Sequence, residues 1–219
     1  MTHFRKSLTA LPMLLLAGAA SAQDWAGRYW GGELSFGAGS SAYKQDFLAT
    51  SKTEIDASGG MIGAVYGHNW QTGNRVWGYE ADLSVGSFEG SATAPAPICS
   101  GLGPCSSELS TLVTLRGRIG IALDNGLLPF ATAGLAVGQV EIRADEFACD
   151  AEPCATDGTK VGIVVGGGVE YPFRETWNLR GQVQYINLGE EELDGSGPTG
   201  TVSAELSYIR VNLGFTRRF

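Results

Sequence analysis

From Gln23 onward the chain alternates apolar and polar residues in segment after segment, the period-two spacing of strands whose faces meet different surroundings. In Leu109 to Leu123 one face carries Leu109, Thr111, Val113, Leu115, Gly117, Ile119, Ile121 and Leu123, and the other Ser110, Leu112, Thr114, Arg116, Arg118, Gly120 and Ala122. The contrast recurs where Trp177, Leu179, Gly181, Val183 and Tyr185 alternate with Asn178, Arg180, Gln182 and Gln184. It recurs again where Ile209, Val211, Leu213, Phe215 and Phe219 alternate with Tyr208, Arg210, Asn212, Gly214, Thr216 and Arg218. The pattern predicts strands near 28–38, 57–70, 75–88, 109–123, 128–142, 160–172, 177–188 and 202–219, an even number. Most exceed the roughly 9–11 tilted residues that cross a bilayer.

The connections alternate in length. Gln71-Thr72-Gly73-Asn74, Asp124-Asn125-Gly126 and Arg174-Glu175-Thr176 are short, the first two built from turn-forming residues. The others, near 40–56, 89–108, 143–159 and 189–201, are long and rich in Ser, Gly, Pro, Asp and Glu. Short turns on one side and long loops on the other are the arrangement of an outer-membrane barrel. A soluble eight-stranded fold would turn its apolar faces inward, and alternation alone does not separate the two. The unequal connections, the charges opposite the apolar faces, and Trp70, Trp77, Tyr171, Trp177 and Phe219 near one set of strand ends favour the inverted arrangement. The fold expected is therefore all-β, an eight-stranded antiparallel up-and-down transmembrane β-barrel over 23–219.

The first 22 residues differ. Arg5 and Lys6 precede an apolar run from Leu8 to about Ala20, and Ala20-Ser21-Ala22 offers a small-x-small cleavage site, so 1–22 reads as a cleaved secretory signal peptide. Beyond it no window approaches the roughly 18 uninterrupted apolar residues of a spanning helix. All 23 acidic residues lie after residue 22, and the net charge of the whole chain is −8, so nucleic acid is not an expected partner. The 32 glycines are scattered through patterned segments, which suits strands with tight local curvature.

The four cysteines form two close pairs, Cys99/Cys105 and Cys149/Cys154, both in long loops. In an exported protein such pairs read as disulfides, and of the three connectivities the two local bridges are favoured. After residue 22 the only histidine is His68, so the cysteines do not suggest zinc, and no metal or cofactor is expected.

Projecting the alternation inward places Glu33, Glu80, Asp82 and Glu170 in the lumen with Arg116, Arg118, Arg180 and Arg210. An eight-stranded barrel is only wide enough for its own side chains, so these charges are expected to meet one another rather than line a water channel. His68 lies near a predicted short turn with no serine placed to make it a general base, and the ordinary interfacial reading prevails over catalysis. Gly166-Gly167-Gly168 lacks the Lys-Ser/Thr ending of a phosphate loop and sits inside a strand pattern. Glu190-Glu191-Glu192 and Asp145-Glu146 read as solvated loop tips.

Several stretches together resemble the porin-family small barrels called outer-membrane immunogenic proteins. They are Asp24-Trp25-Ala26-Gly27-Arg28-Tyr29-Trp30-Gly31-Gly32, Gly67-His68-Asn69-Trp70-Gln71, Gly78-Tyr79-Glu80-Ala81-Asp82-Leu83, Gly166-Gly167-Gly168-Val169-Glu170-Tyr171 and Tyr185-Ile186-Asn187-Leu188-Gly189. The resemblance spans nearly the whole of 23–219. It implies an OmpA-like barrel integral to the outer membrane of a Gram-negative bacterium, contributing to envelope integrity and not an enzyme. It also implies contact with lipid and lipopolysaccharide, and insertion by periplasmic chaperones and the barrel-assembly machinery, with Phe219 as the terminal aromatic of the assembly signal. Arg217 stands where an aromatic or apolar residue is usual in that signal, and Arg28 where an aromatic is common. A monomeric structural barrel is the leading expectation. A narrow pore for ions or small solutes, and an adhesin or receptor acting through the cysteine-bearing loops, are the competing readings.

Overall fold

The computed structural model describes residues 23–45, 52–92, 105–143, 155–192 and 202–219. Within them run β1 (Gly27–Gln45), β2 (Lys52–Thr72), β3 (Arg75–Ala92), β4 (Cys105–Ile121), β5 (Leu128–Arg143), β6 (Ala155–Pro172), β7 (Trp177–Glu192) and β8 (Val202–Arg218). Each strand pairs with its sequence neighbours, and β1 pairs with β8, closing an antiparallel barrel. The expected up-and-down architecture is the one found. Residues 1–22, Cys99, Cys149 and Cys154, on which the expected signal peptide and disulfides fall, lie outside the described residues; Cys105 opens β4 opposite Ala92.

The outer wall is apolar on every strand. Leu34 and Phe36 of β1, Leu115 and Ile119 of β4, Val183 of β7 and Leu213 of β8 are each 50% exposed or more, an arrangement stable only against hydrocarbon. Strand closure pairs the backbone groups that such a wall would otherwise strand in lipid around all eight strands at mid-barrel. An aromatic girdle encircles the end bearing the short turns. Trp70 stacks on Trp77 at 4.5 Å, the His68 ring packs against Trp70 at 4.4 Å, and Trp30 meets Trp177 edge-on at 6.2 Å. His68 thus faces outward in the girdle. Arg217, also outward, lays its guanidinium 5.5 Å from the Trp177 ring, where its stem covers apolar surface and its head reaches the headgroups. It leaves the register of β8 undisturbed, and the Phe219 amide donates to the Arg28 carbonyl at 3.1 Å.

A charge on this wall should be costly. Leu115→Arg, at mid-height of β4, is expected to destabilise the folded barrel by about 2–4 kcal/mol, read from urea unfolding in lipid vesicles. A shift below about 1 kcal/mol would place Leu115 outside the hydrocarbon.

The strands differ from the sequence expectation in two ways. On the long-loop side most run several residues further, β1 to Gln45 and β7 to Glu192 for example. There the outer face no longer meets hydrocarbon, and the inner face carries small polar residues such as Ser41 and Ser107, which are buried and hydrogen-bonded to each other at 2.9 Å, so no apolar alternation marks the extra rungs. Leu109, assigned above to the lipid face, is instead fully buried inside. A bulge between Leu109 and Thr111 gives β4 one extra residue against β5, and below it the parity of the strand reverses. Further register shifts lie between Val85 and Phe88 of β3 and between Asn187 and Glu190 of β7. At the last, Gly189 takes a φ of 81°, which favours glycine, and its amide donates to Asn187 Oδ1 at 2.7 Å. Beside this bulge the β6–β7 ladder stops at Ile163↔Asn187, so residues 155–162 of β6 have no register partner on β7.

Candidate functional site: the filled lumen

Inward positions follow strand parity, and at mid-barrel they carry charge. Glu80 and Asp82 of β3 face Arg116 and Arg118 of β4, with Glu80 directly opposite Arg116; on the far wall Glu170 of β6 lies opposite Arg180 of β7. Across the lumen these two sets join at Glu80. Its Oε1 accepts from Arg116 Nη2 at 2.5 Å and Arg180 Nη2 at 2.6 Å. Its Oε2 accepts from Tyr29 Oη at 2.7 Å, from Arg118 Nη1 at 3.4 Å and from Arg180 Nη1. One fully buried carboxylate therefore compensates three guanidiniums in charge-assisted bonds.

Asp82 forms the second node. It accepts from Arg116 Nη2 at 2.7 Å, from Arg210 Nη2 at 3.0 Å, and from the Thr114 hydroxyl. Arg210 also donates from Nε to Gln184 at 2.5 Å and from Nη1 to Ser84 at 3.1 Å. Glu170 accepts from Arg118 at 3.1 Å and lies 3.7 Å from Arg180. The Phe130 ring sits between the two guanidiniums, 4.3 Å from Arg118 and 5.1 Å from Arg180.

Seven of the eight charges projected inward from the sequence thus meet in one network. Glu33 is inside and buried, within electrostatic reach of Arg180 and Arg210, but it is not hydrogen-bonded into the network; neither carboxylate oxygen has a hydrogen-bond partner. Its strand neighbours at that rung are Gly63 and Gly214, which bring no donor. Tyr29, Thr114, Ser84, Gln182 and Gln184 complete the network without having been singled out. Of these, Thr114, Gln182 and Gln184 lie on the polar faces that alternation picks out. Glycines on the inner wall give the arginines room. At Gly134, opposite Arg116, an added Cβ would stand 2.0 Å from the Leu115 carbonyl oxygen and 2.6 Å from Arg116 Cα.

The remainder of the lumen corrects the expectation of a polar interior. Toward the long loops the inner wall is mostly apolar, with Lys160, Ser41 and Ser107 the buried polar exceptions: Met61, Phe88, Leu109, Leu112, Val140, Ile142, Val164, Ile186, Leu188, Leu206 and Tyr208 belong to one buried cluster. Toward the short turns a second cluster of Trp25, Val76, Ala122 and Leu128 closes the floor. Trp25 is held there by its amide, which donates to Gln71 Oε1 at 2.6 Å. A filled barrel interior is shielded from both lipid and water, so apolar packing serves as well as charge there.

Among the described residues no group of His, Cys, Asp and Glu is arranged to hold a metal ion. An outward apolar girdle, a closed ladder and a packed interior define an integral outer-membrane β-barrel. The chain belongs to the outer membrane protein beta-barrel domain family, whose model matches residues 8–219. It is 33% identical over 210 residues to the 31 kDa outer-membrane immunogenic protein of Brucella melitensis, covering 90% of this chain and 84% of that one. It is 28% identical over 199 residues to a 22 kDa outer membrane protein of Rhizobium leguminosarum bv. viciae, covering 90% and 80%. The fold is also that of the outer membrane protein OprG of Pseudomonas aeruginosa, with a TM-score of 0.58 at 13% identity over 89% of this chain and 96% of that one.

Proposed function

We propose that this protein is a structural element of the outer membrane, a closed barrel that contributes to envelope integrity rather than a conduit or a catalyst. The observation that carries the reading is the stacking of the lumen: an ion-pair network centred on Glu80, with an apolar cluster above it and another below. An ion entering from either side meets a packed layer that is mostly apolar, with Lys160 buried in the one nearer the long loops, and desolvating it there opposes passage. The arginines that would attract anions are already occupied by carboxylates. His68 lies outward among Trp70 and Tyr79, away from the lumenal carboxylates, which disfavours an acid–base site. Contact with lipopolysaccharide, assembly through periplasmic chaperones and the barrel-assembly machinery, and a monomeric state belong to the same reading.

Planar-bilayer recording of the purified chain provides the test. The expected trace shows no sustained single-channel steps. Steady unitary steps that disappear on substitution of Arg116 or Glu80 would establish a pore and overturn the closed-lumen reading.

A further inference from the structure

Low on the outer wall, two contiguous hollows run between β3, β4 and β5, sharing Trp77, Ile119 and Ala131. The lower has a volume of about 600 Å³ and the upper about 430 Å³. They exist because the outward positions opposite each other here are small, Gly117 against Ala133 and Ala131 against Gly167, while the Trp77 indole stands 50% exposed beside them. The groove starts at Arg75, directly after the short turn at 73–74 and opposite Ile121, hence at the periplasmic headgroup level. Arg75 is exposed and makes no ion pair among the described residues.

We propose that this groove is a binding site for one glycerophospholipid of the periplasmic leaflet, its phosphate on Arg75 and one acyl chain along the small-residue floor. A single cation at the mouth of an apolar channel matches a phosphodiester joined to an acyl chain, and a guanidinium is the side chain best formed to grip phosphate. The indole of Trp77 is suited to the boundary between the two. A second copy of the chain is the poorer occupant. Symmetric partners in one membrane relate by an axis along its normal, which would bring Arg75 level with its own copy across a low-dielectric contact.

The test is native mass spectrometry of the folded, delipidated chain in detergent, titrated with phosphatidylglycerol, phosphatidylcholine or diacylglycerol. The unsubstituted protein is expected to retain one molecule of either phospholipid under activation that strips all others, and no diacylglycerol. Arg75→Gln and Ala131→Phe should each reduce that occupancy at least fivefold, whereas Leu213→Phe, on a wall away from the groove, should leave it unchanged. A boiled-versus-unboiled gel shift establishes that each variant is folded; should Ala131→Phe fail to fold, Ala133→Leu fills the same floor. Equal retention by the groove variants and the unsubstituted chain, equal retention of diacylglycerol, or a two-copy species carrying no lipid would overturn the proposal.

Discussion

Glu80→Ala is expected to cost the barrel about 3–5 kcal/mol, among the largest losses available from a single side chain. The carboxylate accepts from Arg116, Arg118 and Arg180, whose side chains are at most 1% exposed. Its removal leaves three guanidiniums buried, with Asp82 and Glu170 as their remaining ion-pair partners and Glu33 acting on Arg180 at longer range. The loss is therefore that of stranding charge rather than of one attractive pair, since an intact buried pair adds little once desolvation is counted. Glu80→Gln keeps the shape and removes the charge, so it should fall near the alanine variant. The measurement is the urea midpoint in lipid vesicles, with the temperature of the gel-mobility change as a second readout. Arg143→Ala supplies the contrast: its pair with Glu141 is 64% exposed on the arginine and 43% on the glutamate, and loss of the pair should cost less than about 1 kcal/mol. A Glu80→Ala penalty as small as that would mean the network is hydrated and carries no such energy.

Gly134→Val should be at least as damaging, through sterics alone. The position faces inward opposite Arg116, and its first side-chain carbon would collide with the Leu115 carbonyl and the Arg116 backbone, neither of which is the free end of a flexible chain. Relief requires the β4–β5 ladder to part at the height of the network, so the variant gives up hydrogen bonds or displaces Arg116 from Glu80. Overpacking typically costs about 1–3 kcal/mol, and more where, as here, the colliding atoms are backbone. The expected observation is loss of the heat-modifiable band. A fully folded Gly134→Val barrel with an unchanged urea midpoint would show that the wall yields more than its geometry indicates.

Much of this architecture is legible in the chain itself, for an identifiable reason. Hydrocarbon tolerates few polar groups, so each crossing writes an apolar residue at every second position, and β7, β8 and the part of β4 from Thr111 onward carry that signal clearly. The opposite parity then names the inward charges. Parity gives a face but neither height nor partner: Glu80 and Arg180 are 100 residues apart in sequence and meet only because the closed wall sets β3 across from β7. The same limit left Glu33 among the paired charges, although its rung offers glycine on both sides. The apolar inner cluster was hidden because an inward leucine and a lipid-facing leucine look alike in sequence, and only the bulge near Ser110 decides the side for Leu109. Where the strands rise above the membrane, the outer face leaves hydrocarbon, the inner face carries small polar residues such as Ser41 and Ser107, and the alternation that locates them fades.

The cylinder is not equally fastened all round. Between β6 and β7 the rungs run out at Ile163↔Asn187, and the glycine kink at 189 turns the neighbouring strand toward β8, with which it pairs again at Glu190↔Glu205. Like a zipper left partly undone at its upper end, this join has a ready starting point for parting, and mechanical or thermal stress unfastens the hoop at this corner first. The β2–β3 ladder also stops short, at Ser58↔Glu89, whereas the remaining joins carry rungs to the strand ends, so the order of unravelling is written into where these two lines of hydrogen bonds were left unfinished.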